Sequence, residues 1–445
     1  MTKKLDTLSN DNPVIRHIED FRKVHSLLSF ALDAEILSVG TNQKPIRMNN
    51  LTLENCGDAC HIQVNIKIKN QQQLITNNHL SFRTELTRRN DGQNFFRMPV
   101  WARRERYEPT LESIHGEVMD LYDWIKPTVE EILLRRFVFN RVCEVLGPLF
   151  RPSLIGVFGS VATNLFLPTS DIDIAVTSLD HSEKKLIEVV DLLRHAEDFD
   201  SVSAIGRTKV PIVKFVHKKT GFNLDISFNT SKTLNRTFQW IQRQKRSYPI
   251  IEPLVLVLKR FLTQCGPSFS EPYYGGLSSY ALVVMIVHFV ERVSPKGKIL
   301  KLGCCLVEFF KYFGEVYDYK QCLSCAGRGI DCFRQHLHPE SSFQTSQSSD
   351  RAYCDPLWVQ DPTDIDNNIG SACNISLIRS AFSGAYHTIS QGLKLCRQIE
   401  PIHIKIHYSG PMISSVYRFR DEEILRRQQC IDYMRSGTCQ LSNNR

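Results

Sequence analysis

Gly159-Ser160-Val161-Ala162-Thr163-Asn164-Leu165-Phe166-Leu167-Pro168-Thr169-Ser170-Asp171-Ile172-Asp173-Ile174-Ala175-Val176 places two carboxylates two residues apart behind a Gly-Ser turn. The stretch reads as a short strand, a tight turn, a brief helix and a second strand. Side chains alternate across a strand, so Asp171 and Asp173 share one face while Ile172 and Ile174 take the other. Two acids held together repel unless a cation sits between them. Hard carboxylate oxygens suit Mg²⁺ or Mn²⁺. The plain alternative is a solvated strand edge bearing two surface acids.

A third acid weighs against that alternative. In Phe222-Asn223-Leu224-Asp225-Ile226-Ser227-Phe228, an apolar stripe of period two opposes a polar one carrying Asp225. Val210 to Val216 is also strand-like, so a hairpin or meander can set Asp225 beside the first pair. Three carboxylates on neighbouring strands suit two metals roughly 3.5–4 Å apart, the arrangement used for in-line displacement at phosphorus. Sequence leaves open whether the strands are neighbours.

Gly-Ser, then Asp-Ile-Asp, then Asp-Ile-Ser-Phe-Asn resembles the DNA polymerase β-type nucleotidyltransferase superfamily. More narrowly, it resembles the noncanonical poly(A) polymerases with a PAP-associated domain, of the kind found in TRAMP complexes. The match runs from about Trp101 to Leu393, about two thirds of the chain. The motifs are specific as a set and weak singly.

The remaining chain agrees with that size of enzyme. With 445 residues there is room for two or three domains. A net charge of +8, from 55 basic and 47 acidic residues, suits a polyanion and decides little by itself. The start lacks an apolar signal segment. Tyr280 to Val290 falls far short of the roughly 20 residues of a membrane span. A soluble intracellular protein without a membrane partner is expected. Fourteen cysteines include small buried hydrophobes such as Cys143, Cys265, Cys304 and Cys305. Cys56, Cys60 and His61, and Cys322, Cys325, Cys332 and His336, have zinc-ligand chemistry. Neither group belongs to the resembled family, and absence of zinc is the default.

The expected fold class is α+β: a small mixed-sheet nucleotidyltransferase domain facing a mainly helical central (PAP-associated) domain, with nucleotide in the cleft. The expected divisions are an N-terminal extension, partly disordered, over 1–100 and a helical lead-in over 101–150 that packs on the central domain. The catalytic domain spans 151–231, the central domain 232–400 and a C-terminal tail 401–445. Helices are expected over Pro13–Leu37, Ile114–Tyr122, Pro127–Leu146, Leu234–Gln244, Ile251–Gln264, Leu277–Val293, Cys305–Phe313 and Ile375–Arg397.

Further site residues follow from the resemblance. Gly159 and Ser160 would hold the β- and γ-phosphates, and Lys259, a charge in an apolar helix, would bind the triphosphate. Its bland reading is a snorkelling surface lysine. In Gly275-Gly276-Leu277-Ser278-Ser279-Tyr280, Ser279 would bind phosphate and Tyr280 would stack on the base; without the resemblance Tyr280 is a core aromatic. Gln360 to Gly370 resembles the nucleotide recognition motif, with Asp361 and Asp364 at the base edge. Asn367 stands where uridylylating relatives carry histidine, and Thr263 where they carry a second lysine. Both lean towards ATP. Asn229 is a weak match to a ribose-binding asparagine.

The resemblance implies template-independent addition of AMP to an RNA 3′ end with Mg²⁺ or Mn²⁺. Asp171 and Asp173 would bind both metals and Asp225 one. It further implies a nuclear, or also cytoplasmic, place in RNA processing, and a zinc-knuckle type RNA-binding partner with a helicase and the exosome. Three rivals stand beside it: uridylyl or mixed tailing, a nucleotidyltransferase for tRNA ends or small molecules, and an inactive RNA-binding scaffold.

Overall fold

The computed structural model describes residues 98–436, apart from 109, 152–153, 178–182, 206–210, 229–230, 294–299, 326–331, 334–356 and 399–409, together with four short strands before residue 97. Those strands, β1 (Thr52–Cys56), β2 (Ala59–Gln63), β3 (Leu86–Arg88) and β4 (Asn94–Phe96), pair antiparallel in chain order. The helix expected over Pro13–Leu37, the remainder of the N-terminal extension and the loop expected over His338–Arg351 lie outside the described residues.

Two helices lead in, and their starts are written in the sequence. Thr110 caps α1 (Leu111–Ile125) by accepting a hydrogen bond from the Ser113 N–H at 3.0 Å. Thr128 and Glu131 form a reciprocal capping box at the start of α2 (Val129–Leu146). Asp171, Asp173 and Asp225 depend on the sheet that follows. It comprises β5 (Ile155–Val157), β6 (Ile172–Val176), β7 (Phe199–Ile205), β8 (Ile212–His217) and β9 (Phe222–Phe228), in the order β5-β6-β9-β8-β7. The short α3 (Gly159–Thr163) joins β5 to β6, and α4 (Glu183–His195) carries the chain from β6 towards β7. The strands then return as an antiparallel meander, so that β9 inserts parallel to β6.

The period-two pattern decides which face is dry. Ile172, Ile174, Leu224 and Ile226 are fully buried and pack with Leu134, Val138, Val142 and Leu146 of α2 and with Val189 and Leu193 of α4. Each such side chain contributes about 1.5–3 kcal/mol by leaving water. Asp173 and Asp225 stand on the opposite face.

A second and larger core is helical. It joins α1, α6 (Ile251–Cys265), α8 (Ser279–Val293), α9 (Leu302–Lys311) and α10 (Ile375–Gln398). Every residue from Ala281 to Val290 is buried, as expected of a helix apolar all round its axis. Gly303 lets α9 press against α1: a Cβ there would lie 2.6 Å from the His115 backbone. The remaining helices are α5 (Ser231–Ser247), the short α7 (Pro267–Ser270) and α11 (Asp421–Arg435). Among the described residues no helix is long and apolar enough to cross a membrane.

Two features differ from the expected organisation. The lead-in divides: α1 joins the helical core, whereas α2 joins the sheet. Leu134, Val138, Val142 and Leu146 form a stripe that matches the apolar face of β6 and β9, which explains the split. The C-terminal tail also contains α11, for which no helix was expected. Its Arg427 donates to both carboxylate oxygens of Glu131 at 3.0 Å, and its Glu423 pairs with the buried Arg260 of α6 at 2.9 Å. Cys430 is buried in the sheet's core. This helix thus fastens both cores, mainly through charged contacts that an apolar-periodicity reading passes over.

Candidate active site

The parallel register of β6 and β9 places Asp173 directly opposite Asp225, flanked by Ile172 opposite Leu224 and Ile174 opposite Ile226. Asp171, just before β6, accepts a hydrogen bond from Asn223 Nδ2 at 3.1 Å. All three acids therefore gather on the polar side of the two central strands β6 and β9. On the other side of β9, Lys214 of β8 pairs with Asp225 in the antiparallel register, its Nζ 2.7 Å from Asp225 Oδ2.

Asp173 carries the unresolved charge. Burial, then the neighbouring Asp225, pushes its carboxyl up to about 7, with Asp171 adding to the effect and Lys259 opposing it. Among the described residues none donates it a hydrogen bond. Asp225 is also raised by burial, against the pull of Lys214. Lys259 points into this cluster rather than out to solvent. Its Nζ lies 3.4 Å from the Leu165 carbonyl, and burial lowers its pKa to about 8, opposed chiefly by Asp173 and Asp171. The snorkelling reading of Lys259 does not hold, because its ammonium is buried and its charge answers to Asp173 and Asp171.

Gly159 shapes the floor of the site. Its φ of +63° is left-handed, and a Cβ there would fall 2.5 Å from Asp173 Oδ2. Ser160 follows in the first turn of α3. The Asp173 carbonyl accepts from the Phe158 N–H at 3.0 Å, tying the turn to β6. Nearby, Lys245 of α5 donates to the Thr163 carbonyl at 2.9 Å and pairs with Glu252 at 2.8 Å, joining the turn to the helical side.

A second constellation forms around Asp361. The hairpin of β12 (Gln360–Asp361) and β13 (Asp364–Asn368) lies beside α8, following the small β10 (Gln321–Cys322) and β11 (Cys332–Phe333) pair. Asp361 is 3% exposed and fully engaged. Its Oδ1 accepts from Tyr280 Oη, Thr363 N–H and Thr363 Oγ1, each at 2.8 Å, and its Oδ2 accepts from Asn367 Nδ2 at 3.2 Å. Tyr280 meets Trp240 edge-on, with ring centroids 6.4 Å apart. Its phenol is held protonated by burial and by Asp361. Thus Tyr280, Asp361 and Asn367 come together as one unit. Asp364 is exposed on the hairpin, and Ser279 is exposed at the start of α8, where the neighbouring Ser278 hydroxyl accepts from Ala281 N–H.

The donor chemistry of the three acids fits hard divalent cations, and the crowding that pushes Asp173 up supplies the electrostatic reason. Among the described residues, however, no three ligand-type side chains already form a cation cage. Asp225 is turned to Lys214 and Asp171 to Asn223. Asn229 lies outside the described residues, as do His336 and the side chains of Cys332, Cys56, Cys60 and His61. Cys322 and Cys325 are turned to the carbonyls of Leu323 and Val284.

Sequence reasoning missed Lys214, Asn223 and Trp240. A signal existed for Lys214: once β8 and β9 form a hairpin, a lysine on its polar face must meet an acid across the ladder.

The chain's comparisons with known proteins agree with this geometry. A family model described as the central palm domain of mitochondrial-like poly(A) RNA polymerase matches residues 114–238. Poly(A) RNA polymerase gld-4 of Caenorhabditis elegans is 31% identical over 339 residues, covering 73% of this chain and 39% of that protein. A Drosophila melanogaster relative, the inactive non-canonical poly(A) RNA polymerase protein Trf4-2, is 29% identical over 317 residues, covering 69% of this chain and 74% of that one. The polymerase core of TRAMP, an RNA surveillance complex, superposes with a TM-score of 0.59 at 24% identity, covering 69% of this chain and 95% of that structure. The chain spans less than half the length of gld-4 and of several other curated poly(A) RNA polymerases that it matches.

A mixed sheet carrying a Gly-Ser turn and three carboxylates on its central strands, set against a helical core, has the fold of the TRAMP polymerase core, and the family match makes it a nucleotidyltransferase core. Within that class, the chain belongs with the noncanonical poly(A) polymerases.

Proposed function

We propose that this protein adds AMP from ATP to RNA 3′ ends without a template. The observation that carries the reading is the in-register pair Asp173 and Asp225, with Asp171 beside them and Lys259 turned towards the cluster. Asp171, Asp173 and Asp225 would hold two Mg²⁺ or Mn²⁺ ions, Asp225 by rotating away from Lys214. Cations held by these carboxylates would supply a lowered pKa for the attacking hydroxyl and charge neutralisation for the leaving pyrophosphate. Lys259 and the Gly159-Ser160 turn bind the triphosphate, with Ser279 at the start of α8 completing the set. Tyr280 offers a stacking face while its hydroxyl is fixed by Asp361. Asn367, held by the same carboxylate, stands where uridylylating relatives carry histidine, which supports ATP as the substrate. The protein's contribution is position and electrostatics.

The same reading places the enzyme in nuclear RNA surveillance, with an RNA-binding partner raising substrate affinity. Its support is the resemblance to the TRAMP polymerase core.

The experiment is primer extension with labelled RNA, Mg²⁺ or Mn²⁺ and each NTP separately, alongside the Asp171→Ala/Asp173→Ala double variant. Laddering with ATP that vanishes in the double variant is the expected result. Preferred use of UTP would overturn the reading of Asn367 and keep the enzyme class. No extension with any NTP, even with a partner added, would instead favour an inactive RNA-binding scaffold; a Drosophila relative is likewise named inactive.

A further inference from the structure

Arg135 is a buried cation that the site described so far does not use. It lies midway along α2 and is 1% exposed. Its guanidinium carbon stands 4.3 Å from the ring centroids of both Phe166 and Phe222. Its Nη2 donates to three carbonyls of one turn: Leu167 at 3.3 Å, Pro168 at 3.0 Å and Ser170 at 3.2 Å. Burial pulls its pKa down to about 10, which still leaves it charged at neutral pH. Among the described residues no carboxylate hydrogen-bonds to it; the nearby charge of Glu131, the two ring faces and the three carbonyls support the guanidinium. Keeping a guanidinium there is costly, since desolvation is repaid only by these contacts.

The position of the turn gives that cost a purpose. Ser170 is the residue before Asp171, and its carbonyl belongs to the peptide unit that enters Asp171. The turn is closed by Leu167 N–H to Ser170 Oγ and by Ser170 N–H to the Leu167 carbonyl, both 2.9 Å. On its other side Arg135 touches Phe222, whose neighbour Asn223 holds the Asp171 carboxylate. One turn earlier in α2, Glu131 is gripped by Arg427 of α11, which also donates to the Lys126 and Trp124 carbonyls.

We infer that Arg135 is a positioning residue for Asp171: it fixes the turn that delivers this acid into the site, and α11 keeps α2 in place behind it. The inference rests on the reading of Asp171 as a cation ligand. Arg135 itself touches no reacting group.

The test reads cation affinity as well as activity. Mn²⁺ binding to nucleotide-free protein is followed by electron paramagnetic resonance, with RNA extension and Tm measured in parallel. Arg135→Gln should weaken Mn²⁺ binding by about tenfold or more, the scale seen when a ligand's supporting partner is removed. Arg135→Lys keeps the charge but loses the planar fork, and should recover part of the loss. Ser170→Ala loosens the same turn without disturbing a buried cation, and should shift affinity in the same direction by less. Phe310→Leu, in the helical core, supplies a variant destabilised elsewhere. Mn²⁺ affinities of Arg135→Gln and Ser170→Ala that match Phe310→Leu at equal Tm would overturn the inference alone. A wild-type protein that neither binds Mn²⁺ nor extends RNA would overturn the reading of Asp171, and the inference with it.

Discussion

Asp173 on β6 and Asp361 on β12 are both aspartates withdrawn from solvent, and their surroundings are built differently. Asp361 receives four hydrogen bonds, from Tyr280, Asn367 and twice from Thr363. Asp173 receives none from the described residues, faces Asp225 and Asp171, and has its carboxyl pushed up to about 7. The hairpin around Asp361 is therefore preorganised by its own contacts. The face around Asp173 is left electrostatically incomplete, and on the proposed reading a cation would complete it. A recognition element gains from being rigid in advance. A cation site instead gains from charge that the protein itself does not cancel, which is paid for in stability.

The contrast can be broken most severely at Asp173. Asp173→Ala should reduce RNA extension at least about 10³-fold, in line with losing a group that acts as part of a unit. The isosteric Asp173→Asn should be equally inactive yet raise Tm in EDTA at pH 8, because it removes a crowded, half-buried charge. A lower Tm for that variant would show the Asp173 carboxylate to be satisfied after all. Gly159→Ala tests the same place sterically. Its Cβ would meet Asp173 Oδ2 at 2.5 Å on a left-handed backbone, so extension should fall about 10²-fold while the far-UV circular dichroism is kept.

The opposite behaviour is expected at the hairpin. Asp361→Asn keeps the shape and an oxygen for Tyr280 and Thr363, but sets an amide donor against the Asn367 Nδ2 donor and removes the charge. Tm should fall, consistent with a loss of about 1–3 kcal/mol, and the KM for ATP should rise roughly tenfold. Substitution by asparagine thus stabilises one site and destabilises the other, which a differential scanning calorimetry comparison of the two variants resolves.

The smallest effect is on pH. A carboxyl with its pKa near 7 keeps a proton that a cation must displace, so Mn²⁺ affinity should weaken about fivefold from pH 7 to pH 6. The sign for stability is opposite. The folded state binds the extra proton between the ordinary carboxylate range and about 7, so stability in EDTA should decline as pH rises through that window. Asp173→Asn should flatten both dependences, and calorimetric titration across pH follows them.

Much of this site was legible before the fold was known. The Gly-Ser turn, the spacing of Asp171 and Asp173, and the polar stripe bearing Asp225 are local patterns. The strand period fixed the face of each acid from neighbouring residues alone. The helices over 251–265 and 375–398 were readable for the same reason, since apolar residues recur at helical spacing. The helix α11 was not, because Arg427, Glu423 and Arg435 hold it through charges on distant elements. Its one local mark was the acidic first turn, Asp421 to Glu423.

From sequence alone came the residue types, their faces and the likeness to noncanonical poly(A) polymerases, all properties of short range. Only the tertiary structure decided that β9 lies parallel to β6 with Asp225 opposite Asp173, that Lys214 meets Asp225 and that Lys259 turns inward. Only it showed that Arg135 clamps the turn before Asp171. Those facts depend on which strands pair and which buried charges find partners. Such choices are settled by the free energy of the whole packed chain, and no local pattern encodes them.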